Sequence, residues 1–235
     1  MRNWALVAPR LVGRARVVSY DQRGHGLSES PTAAGDYSLA LLAGDLCAVL
    51  DGLGIERAGL VGHSMGSMVA QTFVLDQPDR VDRLVLVGST AAALTTDERR
   101  WLAEAAKAAS EHGMPAAWET HQRLLTDHQR AAMAVDPGLA EIARKEFVRT
   151  SADGYAGFAH SAIVRQDLLP RLGEIACPTL VIVGEHDTAR LATSGVIANR
   201  IPRARLVVIP GAGHSPQLEA PDAFVAALGG FLDDT

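Results

Sequence analysis

Leu60–Gln71 reads LVGHSMGSMVAQ: a short apolar run, a G-x-S-x-G turn, then a helix-forming stretch. Gly62, Ser64 and Gly66 fill that pattern in the setting that gives it chemical meaning, strand before and helix after. A sharp strand-to-helix turn holds its serine in a strained backbone conformation. The positions two residues to either side, Gly62 and Gly66, are expected to be small because the helix passes close to the strand, and Ser67 extends the small run. The turn also sets the Met65 N–H at a helix N-terminus, where developing negative charge is stabilised. Five-residue patterns of this kind also arise by chance. Ser64 is therefore either a nucleophile or a small residue in a tight turn, and the surrounding chain has to decide.

Outward from this turn, strands and helices alternate. AGLVGH reads as a strand and Met65–Leu75 as a helix. DRLVLVGST, PTLVIVGEHD and ARLVVIPGAGH read as further strands, and so does ARVVSY, Ala15–Tyr20. These runs are apolar throughout rather than alternating, the pattern of strands covered on both faces. Upstream, Trp4, Val7 and Leu11 have a roughly helical spacing. Leu39, Leu42, Leu46, Leu50 and Leu53 recur at three- and four-residue steps, which predicts a helix with Asp36 as its N-cap. The pattern predicts an α/β fold with a mostly parallel, doubly wound sheet.

From Ala93 to Pro170 no strand is evident. DERRWLAEAAKAASEHG reads as a helix capped by Asp97 and stopped by Gly113, and GLAEIARKEFVRT as a second amphipathic helix. The expected division is a core of residues 1–92 and 170–235 with a helical cap over 93–169.

A serine at its free pKa is a poor nucleophile and needs an adjacent base held by an orienting group. Asp187 ends the LVIVGEHD run and His214 follows the next strand. In a parallel sheet both loops fall on the edge that carries the Ser64 turn, where active sites of open α/β sheets gather. Taken singly, Asp187 reads equally as a helix N-cap and His214 as a satisfied loop histidine. The chain order Ser, Asp, His is that of α/β-hydrolase triads.

At this point the chain resembles the α/β-hydrolase superfamily. The stretches that carry the likeness are VVSYDQRGHGLSESP, LVGHSMGSMVAQTF, PDRVDRLVLVGS, IACPTLVIVGEHD and VVIPGAGHSPQLEAPDAF, which span almost the whole chain. In particular it is similar to small Ser-triad members: carboxylesterases, 3-oxoadipate enol-lactonase-like lactonases and cofactor-free haloperoxidase-like esterases. The resemblance implies Ser64 as nucleophile, His214 as general base and then acid, Asp187 as the group orienting His214, and the Met65 amide as one oxyanion donor. It implies hydrolysis of a carboxylic ester or lactone with no cofactor and no metal. Hydrolysis of a carbon–carbon bond by the same triad is an alternative, and a non-catalytic or truncated scaffold of the same fold is another. Members of the superfamily usually begin with further strands and a His-Gly loop that supplies a second oxyanion donor. This chain starts at the helix that follows them, so a gap is expected between the ARVVSY and LVGH strands, and exposed backbone there favours self-association.

Composition narrows the partners. The 235 residues are 48% apolar and 21% charged with a net charge of −5, which argues against a polyanion partner such as nucleic acid. No run approaches the 18 apolar residues of a membrane span. Pro9, Arg10, Gly13, Arg14 and Arg16 break the apolar N-terminus, which reads as mature protein rather than a signal. Cys47 and Cys177 give neither a disulfide framework nor a metal spacing, which fits a cytoplasmic location. The substrate is therefore expected to be a small molecule.

The other histidines read as structural. DQRGHG places His25 in a loop where Asp21 and Arg23 tie backbone together. His63 is expected to pack behind the turn. His112, His121, His128 and His160 fall in the cap, and the seven-residue spacing of His121 and His128 reads as a solvated helix surface. Trp101, Trp118, Phe147, Tyr155 and Phe158 read first as the cap's own core and second as an acyl pocket.

Overall fold

The structure, a computed structural model, describes residues 2–123, 130 and 137–234. His128 lies outside the described residues. The chain divides into two compact units: Met1–Ser19, Ala43–Ala92 and Asp167–Thr235 form one, Tyr20–Leu42 and Ala93–Gln166 the other.

The first unit is built on four parallel strands in sequential order: β1 (Ala58–His63), β2 (Val81–Val87), β3 (Thr179–Gly184) and β4 (Ala204–Ile209). Each parallel step requires a crossover. Helix α2 (Met65–Asp76) packs on β1 and β2, α7 (Thr188–Arg200) on β3 and β4, and α9 (Pro221–Asp233) on β4. The register is continuous from Gly62↔Leu86 and His63↔Val87 through Val87↔Ile182 to Gly184↔Ile209, so all four C-terminal strand ends share one edge. β3 is buried along its whole length, as its unbroken apolar run predicts. One face of the sheet presents Val85, Val87, Leu180 and Ile182 to Phe224, Leu228 and Phe231 of α9 and to Val7 and Leu11. Burying a side chain such as Phe224 contributes about 1.5–3 kcal/mol. The outer strands are more open: β1 alternates, with Leu60 and Gly62 buried and Gly59 and Val61 exposed, whereas in β4 Ile209 alone of the six residues is buried.

Three local expectations change. Arg16–Tyr20 form no strand, although Val17 and Val18 suit one. A strand exists only through its ladder, and β1 pairs with β2 alone among the described residues. The Trp4–Leu11 region forms two short 3₁₀ turns, Arg2–Trp4 and Ala8–Leu11, because Pro9 has no N–H to continue an α-helix from the preceding turn. Helix α1 (Leu39–Gly52) is capped by Ser38, whose Oγ accepts the Leu41 N–H at 3.2 Å, whereas Asp36 lies inside a preceding 3₁₀ turn.

The second unit contains α3 (Thr96–His112), α4 (Met114–Gln122), α5 (Pro137–Val148) and α6 (Ala152–Val164). Thr95, not Asp97, caps α3: it accepts the Glu98 N–H while the Glu98 carboxylate takes the Thr95 N–H at 2.8 Å, a reciprocal capping box. Gly113 ends the helix as expected. Tyr20–Leu42 joins this unit through Ser161 Oγ, which accepts the Leu39 N–H at 2.9 Å, and through the Gly24 carbonyl, which accepts from Ser151 N at 2.8 Å. Trp101, Tyr155 and Phe158 pack on Leu94, Leu102, Ala159 and Ala162, while Phe147 and Tyr155 pack on Ala109, Met114 and Ala117. These aromatics are thus core of their own unit. His121 is no solvated surface residue: its ring lies 5.1 Å from Phe147, 5.4 Å from Trp101 and 5.9 Å from Trp118. No described helix is long and apolar enough to cross a membrane.

Candidate active site

β1 ends at His63 and α2 begins at Met65, so Ser64 alone turns the chain. Its backbone stands at φ 50° and ψ −111°, and it is the one non-glycine residue of positive φ among the described residues. Such a conformation costs on the order of 1–3 kcal/mol and persists only where the surroundings over-determine it. Here the Ser64 N–H donates to the Val87 carbonyl at 2.9 Å, and the Ser64 carbonyl accepts from Ser67 N at 3.0 Å and Ser67 Oγ at 2.5 Å. A Cβ on Gly62 would collide with the Gly66 carbonyl and the Ser67 amide. The Gly66 Cβ position meets no described heavy atom within 4 Å, so the demand for a small residue falls on Gly62. Met65, as the first helical residue, has an N–H without an intrahelical acceptor.

The structure brings together the three side chains that the sequence separates. Ser64 Oγ lies 3.0 Å from His214 Nε2, and His214 Nδ1 lies 2.6 Å from Asp187 Oδ2. Asp187 follows β3, is 5% exposed and occupies the N-cap position of α7. Its side chain makes no capping bond and turns to His214 instead. Because a carboxylate only accepts, Nδ1 carries the imidazole proton and Nε2 is left to accept from the serine hydroxyl. The ring rests over Gly88, whose φ is 54°; a Cβ there would stand 3.2 Å from His214 Cε1 and Nδ1.

The loop around His214 is braced by groups that sequence reading missed. The Glu219 carboxylate accepts the Gly213 N–H at 2.5 Å and the Ser215 N–H at 2.8 Å, flanking the histidine. His63 Nε2 lies 2.8 Å from the His214 carbonyl oxygen, and His63 Nδ1 lies 3.2 Å from Asn3 Nδ2. Asn3 Oδ1 in turn accepts from Gln217 Nε2 at 2.9 Å. Burial, reinforced by the neighbouring His214, pushes the His63 pKa down to about 3. His63 is therefore neutral near pH 7. Glu219 carried one signal, its position five residues beyond His214 at the end of the short helix α8 (Pro216–Glu219); Asn3 carried none.

His25 bonds to the Arg23 carbonyl, and Asp21 accepts the Leu27 N–H at 3.2 Å while Arg23 donates to the Asp36 carbonyl at 2.7 Å, so this loop ties backbone as expected. Among the described residues no His, Cys, Asp and Glu group has a metal-holding arrangement. A shallow 430 Å³ depression lined by Asp51, Ile55, Glu56 and Arg80 lies before the start of β1, at the opposite strand end from Ser64. Its Arg80 is already paired with Asp51 at 2.7 Å.

The sequence model of the alpha/beta hydrolase fold family matches residues 1–221. The chain belongs to the α/β-hydrolase family, and its relatives include hydrolases of the enol-lactonase type. It is 32% identical to 3-oxoadipate enol-lactonase 2 of Acinetobacter baylyi, over 90% of this chain and 76% of that protein. It is 31% identical to the 2-hydroxymuconate semialdehyde hydrolase of a Pseudomonas species, over 98% of this chain and 81% of that protein. Among solved structures, the enol-lactonase of Burkholderia xenovorans superimposes with a TM-score of 0.89 at 32% identity, covering 99% of this chain and 86% of that one.

Proposed function

We propose that this chain hydrolyses a small carboxylic ester or lactone through a Ser–His–Asp acyl-enzyme. Ser64 Oγ attacks the carbonyl carbon as His214 Nε2 takes the hydroxyl proton, and Asp187 holds the imidazole in the required tautomer and stabilises its charged form. The carbonyl oxygen gains negative charge beside the Met65 N–H at the start of α2. Collapse expels the alkoxide, which leaves as the alcohol with the proton from His214. Water, deprotonated by the same nitrogen, then cleaves the acyl-serine to the acid. In a lactone the alcohol and acid remain one molecule.

The observation that carries the reading is the continuous contact from Asp187 Oδ2 through His214 to the Oγ of a strained Ser64. The test is fluorophosphonate labelling with peptide mapping, followed by an ester and lactone panel. One stoichiometric adduct on Ser64 is expected, and Ser64→Ala should lower kcat by about 10⁵- to 10⁶-fold with an almost unchanged Tm. Label elsewhere, or wild-type turnover by Ser64→Ala, would sink the mechanism. A folded chain that neither labels nor turns over substrate would be a non-catalytic scaffold. A relative named for a semialdehyde rather than a lactone supports a second reading, hydrolysis of a carbon–carbon bond by the same triad. A vinylogous diketone in the panel separates the two.

A further inference from the structure

His63 stands next to Ser64 in sequence, is half-buried, and takes no part in the proton path just described. Its two ring nitrogens nevertheless have fixed partners. The His214 carbonyl can only accept, so His63 Nε2 must carry the proton that spans their 2.8 Å separation. A neutral ring then offers Nδ1 as an acceptor, which the Asn3 amide meets with its Nδ2 hydrogens at 3.2 Å. The Asn3 amide is itself held in that orientation, because its Oδ1 accepts from Gln217 Nε2 at 2.9 Å. Gln217 is wholly buried, one turn into the segment that follows His214. The relay thus begins and ends in the His214 loop and closes through the N-terminal segment and the Ser64 turn.

We propose that His63 is a positioning residue: locked as its Nε2–H tautomer by the Gln217–Asn3 amide relay, it anchors the His214 carbonyl and so fixes the reach of the His214 ring to Ser64. The rings of His63 and His214 lie 5.0 Å apart, so a charged His63 would oppose the imidazolium that His214 forms during catalysis. Asp187 is the acidic group that faces the pair, and the Glu219 carboxylate is engaged by the loop amides on either side of His214. The proposal rests on the reading of Ser64, His214 and Asp187 as the working triad.

Two measurements test it. Nitrogen-15 NMR of labelled histidines in the wild type should find His63 as the Nε2–H tautomer, without titration, from pH 5 to 9. Asn3→Ala should mix its tautomers. In parallel, the rate of fluorophosphonate capture by Ser64 and the ester kcat should both fall about tenfold in His63→Ala, with KM within twofold, the loss expected for a small misplacement of the base. His63→Gln, whose amide N–H can reach the same carbonyl, should recover most of that loss. Asn3→Asp, which replaces the donor to Nδ1 by an acceptor, should lower both rates and shift the acid limb of the pH profile. Should His63→Ala prove unfolded, Asn3→Asp and His63→Gln decide the matter. An Nδ1–H or titrating His63, or variants that keep wild-type capture rates and pH limbs, would overturn the proposal. A wild type that is neither captured nor active would overturn the hydrolase reading, while the NMR tautomer still decides the relay.

Discussion

The Ser64 turn and the His214 loop deliver side chains that meet at 3.0 Å, yet they are built in opposite ways. The turn is held by its near neighbours: Gly62 makes room for the Gly66 carbonyl, and Ser67 accounts for the Ser64 carbonyl through both its amide and its hydroxyl. The loop is held by residues far away in the chain, namely Asp187 on the ring, His63 on the carbonyl and Asn3 behind it. Only Glu219 and Gln217 are close in sequence. A strained serine can be specified by a five-residue pattern because steric exclusion acts between adjacent backbone atoms. A histidine ring on a loop has no such local constraint, and its direction must come from hydrogen bonds closed across the fold.

Among the groups that support Ser64 and the His214 ring, breaking the remote side of the loop should cost most. Asp187→Asn keeps the shape but favours the wrong His214 tautomer, and an approximately 10⁴-fold fall in kcat is expected with little change in Tm. Steady-state ester kinetics beside thermal melts measure both. For the turn, Gly62→Ala should destabilise by about 3 kcal/mol or prevent soluble expression, since the added methyl meets backbone. Gly66→Ala, with open space at the same atom, should leave Tm within a few degrees. Equal Tm losses in the two variants would erase the asymmetry claimed for the turn.

Acid probes the desolvated His63 imidazole. His63 has a folded pKa of about 3, below the ordinary histidine value of 6.5. Above the ordinary value it is neutral in both states and contributes no pH dependence. As the pH falls below it, the unfolded chain takes up a proton that the folded chain refuses, so stability drops, by about 2 kcal/mol at pH 5. The Tm of His63→Gln should fall less steeply than that of wild type between pH 7 and 5. A smaller loss of activity than at Asp187 is expected at Glu219→Gln, where an amide replaces one acceptor with a donor facing a loop N–H. A loss of about 1–3 kcal/mol for the unpaired group, seen as a roughly tenfold lower kcat, would confirm the brace.

The pattern of failures is as instructive as the meeting of Ser64, His214 and Asp187. Four strands could be located from their apolar runs, because strand burial depends on residue type summed over several positions. The ARVVSY run has the same composition but is no strand, since pairing needs a neighbour and composition cannot supply one. Helix starts went to Ser38 and Thr95 rather than to Asp36 and Asp97, a choice between capping side chains a few residues apart. His121 and His63 looked like bystanders because a lone histidine carries no periodicity; their surroundings are assembled by tertiary packing.

By itself the sequence determined the α/β order of elements, the elbow at Ser64 and the chain order of Ser64, Asp187 and His214 at strand ends, because hydrophobic period and backbone sterics act over a few residues. Only the tertiary structure decided which edge of β1 lacks a neighbour among the described residues, how the Asp187 carboxylate turns from capping α7 to His214, and that a neutral His63 grips the His214 carbonyl. Those outcomes depend on hydrogen bonds between groups up to 214 residues apart, whose partners no local pattern records.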